Sequence, residues 1–135
     1  MNGNLIFVTI FLLLTLPFMV NGNDGWSPCS IVSLDLDIIN VQWGPDPVSG
    51  AILQATVSQK ITNATTSNSA IIFGFTDDFG RIIGDTMHPL QPGITNIESS
   101  YNVIVPKLLP PSYKFSVAIF DSELDTASNC ILFNR

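Results

Sequence analysis

The chain has few of the residues that enzymes and metal proteins use, with one His, two Cys and five basic residues among 135. A Ser-His-Asp or Cys-His unit could form only around His88, which precedes Pro89 in a predicted loop and is interpreted as a surface residue. There is no second His and no Cys pair with ligand spacing, which excludes the usual zinc sites. We therefore expect a protein without catalytic activity, metal or cofactor. Paired carboxylates remain the one catalytic arrangement that sequence alone leaves open.

Charge is also scarce and is mostly of one sign. Charged residues make up 12% of the chain, with 11 acidic against 5 basic and a net charge of −6, where about 25% is usual. An acidic protein repels a phosphate backbone, so nucleic acid is excluded as a partner. An anionic membrane should not attract it electrostatically either, because that attraction uses clustered Lys and Arg. What remains is an apolar surplus, more than a domain of this size ordinarily buries.

The N-terminus carries an uncharged apolar run over residues 5–20, which is short for a membrane span of about 20 residues. Val20 and Gly22 are small residues at the positions that signal peptidase reads. We predict a signal peptide over 1–22 and one domain over 23–135, and hence a secreted or luminal protein. The alternative is an uncleaved membrane anchor, since no Lys or Arg precedes the run.

Two further features fit the secretory route. Cys29 and Cys130 lie near opposite ends of the predicted domain, and in an oxidising compartment we expect them to pair, with free or intermolecular thiols as the alternative. A disulfide that closes a loop of about 100 residues stabilises by at most about 4.7 kcal/mol. Asn63, Ala64 and Thr65 form a glycosylation sequon in a polar stretch that predicts a surface loop.

Alternation with a period of two dominates the rest of the chain and predicts seven or eight short strands. The alternating segments are 34–38, 39–43 after a one-residue slip in phase, 53–61, 101–105 and 113–119. Residues 70–76 are apolar on both faces, which predicts a central strand buried on both sides. Further strands are predicted at 81–87 and 129–134, with turns or loops at 44–50, 77–80, 88–94 and 121–128. With no helical period, this pattern indicates an antiparallel β-sandwich.

Several features occur in an order that resembles a known family. They are a Cys after the signal, the turn Pro45, Pro47, Val48 and Gly50, the strands at 51–61 and 70–76, Tyr101 and Pro106, then Pro110, Pro111 and Tyr113, and last Cys130 before a short strand. Over about 29–134 the chain is similar to the ML lipid-recognition domain. This family includes phosphatidylglycerol/phosphatidylinositol transfer proteins, the Niemann-Pick sterol carrier and mite group 2 allergens.

The resemblance implies an immunoglobulin-like sandwich of two antiparallel sheets, splayed to hold lipid tails, with Cys29 and Cys130 bridged. It places Tyr101 near the cavity mouth and the inward side chains along the cavity. The lipid-binding residues it implies are Leu53, Ala55, Val57, Ile71, Phe73, Phe75, Ile83, Tyr101, Val103, Val105, Tyr113, Phe115, Val117 and Ile119. The chain departs from the family in having no further internal Cys, and in Pro110-Pro111-Ser112-Tyr113, which is one residue shorter than the usual Pro-Pro-Gly-x-Tyr.

The expected function is therefore binding or transfer of a phospholipid or sterol by a secreted monomer that contacts membranes transiently. Burial of a 16-carbon tail offers about 13 kcal/mol gross at about 0.8 kcal/mol per methylene, before the costs of ordering and association. The alternative is a closed sandwich that recognises another protein or a lipid signal. For any single residue, such as Phe73 or Phe115, plain core packing is an equal alternative to lining a cavity.

Overall fold

A computed structural model describes residues 20–21, 26–27, 39–123 and 126–135 of the chain, with the backbone alone for 20–21, 26–27 and 126–130. The described residues form nine strands and no helix. The strands are β1 (Val20–Asn21), β2 (Trp26–Ser27), β3 (Asn40–Trp43), β4 (Ile52–Lys60), β5 (Ser69–Thr76), β6 (Ile82–Pro89), β7 (Asn96–Ile104), β8 (Lys114–Asp121) and β9 (Thr126–Asn134).

The strands form two antiparallel sheets. The first sheet has the order β1-β3-β4-β7 and the second has the order β2-β9-β8-β5-β6. The chain crosses from the first sheet to the second after β4, returns for β7 and crosses again to β8. Such crossings between two sheets are those of an immunoglobulin-like sandwich, so the predicted all-β fold is confirmed.

Alternation along the strands places the apolar side chains between the sheets, because successive residues of a strand face opposite sides. On β4, Leu53, Ala55 and Val57 are buried while their neighbours Gln54 and Thr56 are exposed. The strands β3 and β8 follow the same rule. The predicted inward faces of these strands are therefore confirmed.

The strand β5 differs from the prediction on one of its faces. It is central, between β8 and β6, and Ile71, Phe73 and Phe75 are fully buried as expected. Ile72 and Gly74 on the other face are only half-buried, because no further layer covers the outside of the second sheet among the described residues. The expectation of burial on both sides was therefore wrong.

Three strands have other bounds than the sequence predicted. β6 continues through His88 and Pro89, which were assigned to a loop, because β5 pairs with them through Ile71 and Ala70. β7 begins at Asn96 and β9 at Thr126, both earlier than predicted. In each case pairing with a neighbouring strand extends through polar residues that show no alternation.

One lateral side of the sandwich is closed where the edge strands β6 and β7 meet. The backbone N–H of Ile104 donates to Thr86 Oγ1 at 2.9 Å, and His88 Nε2 lies 2.9 Å from the carbonyl oxygen of Asn102. A Cβ on Gly84 would lie 2.7 Å from Pro106 Cγ, so the absence of a side chain permits this close approach. Side chains, and not a backbone ladder, hold the two sheets together here.

The loops gather at the two ends of the sandwich. We call the end formed by residues 44–51, 77–81 and 105–113 the loop end; Gly50 N donates to Pro106 O there at 3.0 Å. Residues 61–68, 90–95 and 121–123 form the opposite end, where Ile61 N donates to Thr95 O at 2.9 Å. Both turn predictions at the loop end, 44–50 and 77–80, are confirmed, and Gly50 and Gly80 have positive φ in these turns.

Some predictions lie outside the described residues. They are the signal peptide apart from 20–21, Cys29, and the alternating segment 34–38. Cys130 lies on β9, where the backbone alone is described, so the disulfide stays a prediction. Val20 and Asn21 pair with Trp43 and Gln42, and cleavage after Gly22 would remove this short strand.

Candidate functional site

The structure brings all the residues predicted to bind lipid into one apolar interior between the sheets. Twelve of them are buried in a single core cluster: Leu53, Ala55, Val57, Ile71, Phe73, Phe75, Val103, Val105, Tyr113, Phe115, Val117 and Ile119. The other two, Ile83 and Tyr101, are partly buried and pack against that cluster. None of these fourteen residues has a charged side chain.

Aromatic rings fill the interior towards the loop end. Phe115 is the central ring, with its centroid 5.4 Å from Trp43, 4.9 Å from Phe75 and 6.2 Å from Phe133. Trp43 belongs to the first sheet and Phe115 and Phe133 to the second, so these edge-to-face contacts connect the sheets directly. The remainder of the interior, towards the opposite end, is lined by aliphatic side chains.

The described part of the interior is closed. The side chains with no water-accessible surface are Ile39, Val41, Ala55, Val57, Ile71, Phe73, Phe75, Val103, Phe115, Val117, Ile131 and Phe133. A cavity wide enough for a lipid tail would leave its lining open to a water-sized sphere. No such space adjoins these residues, so a tail can enter only if the sheets move apart.

Eight buried residues of the core cluster were missing from the predicted set: Ile39, Val41, Trp43, Ile61, Leu90, Ile97, Ile131 and Phe133. Val41 and Trp43 on β3, and Ile131 and Phe133 on β9, are fully or almost fully buried. The alternation of both segments was visible in the sequence and could have identified them. They were omitted because each segment is short and lies beside a stretch, 34–38 or 121–128, whose pairing the sequence does not define.

Two buried nitrogen atoms at the loop end of the interior have no hydrogen-bond partner among the described residues. They are Trp43 Nε1 and Arg135 Nε. The Arg135 guanidinium lies over the Trp43 ring, 5.3 Å from its centroid, and its Nε is 3.3 Å from Asp46 Oδ1 as an ion pair without hydrogen-bond geometry. An unpaired buried donor is costly. At this end of the interior, Trp43 Nε1 is therefore available to an acceptor outside the described residues.

A second group of rings lies where β6 and β7 meet. The Tyr101 centroid is 5.2 Å from His88 and 5.7 Å from Phe73. Burial raises the pKa of Tyr101, and a hydrogen bond with the Ser99 side chain partly offsets this, so the phenol stays neutral. His88 was interpreted as an ordinary surface residue in a loop. It is half-buried on β6, and its hydrogen bond with the Asn102 carbonyl oxygen connects β6 to β7.

The loop end exposes large apolar side chains. Phe79 is 85% exposed and Leu108 is 89% exposed, and Val48, Ile52, Ile82 and Ile104 are also exposed there. A groove of about 350 Å³ adjoins Val48 and Ile52 and is lined by residues 44–46, 48, 51–54 and 56. The apolar surplus of the sequence therefore continues from the interior to the surface at this end.

The turn that carries Phe79 depends on Asp77. Its Oδ1 accepts the backbone N–H groups of Phe79 and Arg81, each at 2.9 Å, and its Oδ2 accepts Arg81 Nε at 2.7 Å. The backbone N–H of Arg81, followed by the Arg81 side chain and the N–H of Phe79, lowers the pKa of Asp77 against an opposing effect of burial. The carboxylate form of Asp77 therefore stabilises the turn.

We expect Asp77→Asn to lower stability at neutral pH, with a difference from the unchanged protein that disappears in acid. Asp77 has a lower pKa when folded than when unfolded. Its contribution is therefore complete above the unfolded pKa and is lost as pH falls through the folded one. Thermal unfolding measured across the acid range checks this, with Asp85→Asn as a control that removes the same charge outside the turn. A difference that persists unchanged in strong acid would contradict it.

The predicted sequon lies at the opposite end, and its two key residues differ in environment. Asn63 is exposed in the loop at 61–68, as predicted. Thr65 is buried, and its hydroxyl donates to Gln91 O at 2.5 Å and accepts from Ile94 N at 2.8 Å. The Thr65 side chain therefore joins two loops in addition to completing the sequon. Whether Asn63 carries a glycan stays a prediction.

We expect Thr65→Ala to lower the free energy of unfolding by about 1–3 kcal/mol, because it leaves Ile94 N and Gln91 O without their buried partner. Urea unfolding of the unglycosylated protein measures this. Thr65→Ser keeps both the hydroxyl and the sequon, and Asn63→Gln removes the sequon alone, so both should have near-normal stability. Equal losses for Asn63→Gln and Thr65→Ala would show that the hydroxyl contacts contribute nothing.

The described residues contain neither a metal-binding cluster nor a membrane-spanning helix. No cluster of three or more His, Cys, Asp or Glu side chains there has the geometry to hold a metal ion. No described segment forms a helix long and apolar enough to cross a membrane.

No protein-family model matches the chain, and no curated protein matches it in sequence. Among solved structures, the chain is similar to a β-glucuronidase from glycoside hydrolase family 2, with a TM-score of 0.47 and 14% sequence identity. The likeness covers 82% of this chain and 12% of the glucuronidase chain. A likeness this distant carries no argument about activity. The resemblance to lipid-recognition domains stays a prediction.

Proposed function

We propose that the protein is a secreted, non-catalytic lipid-binding protein that holds an apolar tail between its two sheets. The observation that carries the proposal is the interior itself: an uncharged apolar layer, with two N–H groups at one end, Trp43 Nε1 and Arg135 Nε, that have no hydrogen-bond acceptor among the described residues, although Arg135 Nε forms an ion pair with Asp46. A lipid has the complementary chemistry. Its tail suits the aliphatic layer, and an oxygen of its head group suits the donors.

Uptake requires the sheets to separate, since the interior is closed around the described residues. The side where β6 meets β7 is the natural place for this, because the strands are connected there by two hydrogen bonds, one accepted by Thr86 Oγ1 and one between His88 Nε2 and the Asn102 carbonyl oxygen. The apolar loop end is the second place where a lipid tail can enter between the sheets. A tail of 16 carbons offers about 13 kcal/mol gross, which can offset the loss of some contacts between the sheets.

Equilibrium uptake of a labelled lipid tests the proposal directly. Secreted protein would be mixed with a pyrene-labelled phospholipid or a fluorescent sterol supplied on cyclodextrin, so that no membrane is needed. Trp43 lies in the interior, and we expect energy transfer from it to the label at one lipid per chain. Absence of transfer with both lipids would contradict the proposal. A preference for one of them would identify the ligand class.

A second candidate function is recognition of another protein by a closed sandwich. The outer face of the second sheet favours it, because Ile72, Ala118, Phe120 and Leu132 are half-buried there and Met87 is 61% exposed. The outer face of the first sheet carries mostly polar residues at the equivalent positions. Replacement of Met87 by Glu should abolish binding to such a partner and leave lipid uptake unchanged.

A further inference from the structure

The exposed apolar side chains of the described residues are concentrated at the loop end. Val48, Phe79 and Leu108 come from three separate loops, and Ile52, Ile82 and Ile104 lie at the adjoining ends of strands. Met87 is the single large exposed apolar side chain that the described residues place elsewhere. Isolated surface hydrophobics need no explanation, whereas a cluster contributed by three loops indicates an interaction site.

Direct contacts hold the three loops in place. Leu109 N donates to Ser49 Oγ at 3.3 Å, which joins the loop of Leu108 to that of Val48. Ser112 Oγ donates to Asp78 Oδ1 at 3.0 Å and joins it to the turn of Phe79. The three loops are therefore held side by side by hydrogen bonds that do not involve the side chains of Val48, Phe79 or Leu108.

Basic residues accompany the apolar tips. Of the five basic residues of the chain, Arg81, Lys107, Lys114 and Arg135 lie at the loop end. Arg81 and Arg135 are paired with Asp77 and Asp46, and no described residue pairs with Lys107 or Lys114.

The opposite end carries Lys60 with Glu98, Asp121 and Glu123. The loop end also carries Asp46, Asp77 and Asp78, so its described residues include four basic and three acidic side chains, against one basic and three acidic at the opposite end. The net charge of −6 opposes attraction to anionic membranes by the chain as a whole, whereas Lys107 and Lys114 provide a local attraction at the loop end.

We propose that the loop end docks the protein on an anionic lipid surface, with Phe79, Leu108 and Val48 inserted among the lipids and Lys107 and Lys114 facing the head groups. The Arg81 guanidinium lies 5.4 Å from the centre of the Phe79 ring, an arrangement that keeps a charge at head-group level while the ring enters the apolar layer. A glycan on Asn63 would lie at the other end and leave the docking surface free.

This inference names the membrane partner of the lipid-binding function proposed above and rests on it, since a lipid carrier must meet a membrane. The test is flotation of the secreted protein with vesicles of phosphatidylcholine, with and without phosphatidylglycerol. We expect binding that requires phosphatidylglycerol and weakens as salt is added. Phe79→Ala with Leu108→Ala should weaken it about tenfold or more, and Lys107→Gln with Lys114→Gln about fivefold per Lys.

Matched controls lie away from the loop end. Met87→Ala removes an exposed apolar side chain and Lys60→Gln a basic one, and neither should change flotation. Equal losses of flotation in these controls would overturn the inference. A complete lack of flotation would also overturn it and would favour a protein as the partner of the apolar tips. Lipid uptake from cyclodextrin separates the two proposals: uptake without flotation overturns docking alone, and flotation without uptake overturns the carrier function alone.

Discussion

Replacement of Phe115 by alanine is expected to lower the free energy of unfolding by about 3–5 kcal/mol, the range for a fully buried Phe. Phe115 has no exposed surface and contacts rings of both sheets, Trp43 among them. Its removal would leave a cavity in the centre of the aromatic cluster. A small domain has a total stability of about 5–15 kcal/mol, so this single change removes a large part of it. Urea unfolding followed by circular dichroism measures the loss.

Phe79→Ala is the matched control, because it makes the same chemical change on a ring that is 85% exposed. We expect its stability to stay within about 0.5 kcal/mol of the unchanged protein. Phe115→Leu retains most of the volume and should lose less than Phe115→Ala. Similar stabilities for Phe115→Ala and Phe79→Ala would mean that the rings between the sheets are not packed as described.

Ala55→Phe is expected to reduce lipid retention about tenfold or more. Ala55 is fully buried on β4, and in the sheet it lies between Trp43 on β3 and Tyr101 on β7. A ring attached there points into the interior and takes space that a tail would occupy. It also overpacks the closed form, at a cost of about 1–3 kcal/mol. The lipid that stays bound to the secreted variant, relative to the unchanged protein, gives the effect.

Ser58→Phe serves as the control, since Ser58 lies on the same strand and faces solvent. It should retain lipid and stability. If Ala55→Phe bound as much lipid as the unchanged protein while losing stability, the interior would be an ordinary core and the ligand would bind elsewhere. A loss of lipid in both variants would indicate a general defect in secretion or loading.

The sequence predicted much of the fold because burial imposes a period of two on strands with one face in the core. Leu53, Ala55 and Val57 show this period plainly, and their orientation was predicted correctly. The bounds of β7 were wrong because Ser99 and Ser100 interrupt the apolar pattern, although strand pairing with β4 continues through them. Backbone hydrogen bonds extend a strand without any signal in the side chains.

The alternation of apolar residues could not predict the order of the strands in each sheet, and it could not predict that His88 lies on a strand. Alternation says which residues face inward and not which strands are neighbours. The contact of His88 with Tyr101 depends on the meeting of β6 and β7, which belong to different sheets. A His before a Pro in a weakly apolar segment therefore predicted a loop, and pairing with β5 made it a strand.

The candidate site was predictable in part for the same reasons. The inward residues follow from alternation, so the predicted residues were correctly placed in the interior, with Trp43 and Phe133 among the eight omissions. The loop end was not predictable, because Val48, Phe79 and Leu108 are far apart in sequence and come together only through the sandwich. Total charge hid the segregation of basic residues for the same reason.

Native mass spectrometry of the protein recovered from secretion medium tests the central proposal most directly. We expect the folded protein to exceed the mass of its processed and glycosylated chain by one lipid, and the excess to disappear on denaturation. Lipid extraction of the same sample would identify the molecule as a phospholipid or a sterol. Repeated recovery of the bare chain, together with no uptake of either lipid from cyclodextrin, would contradict the proposal that the interior holds lipid.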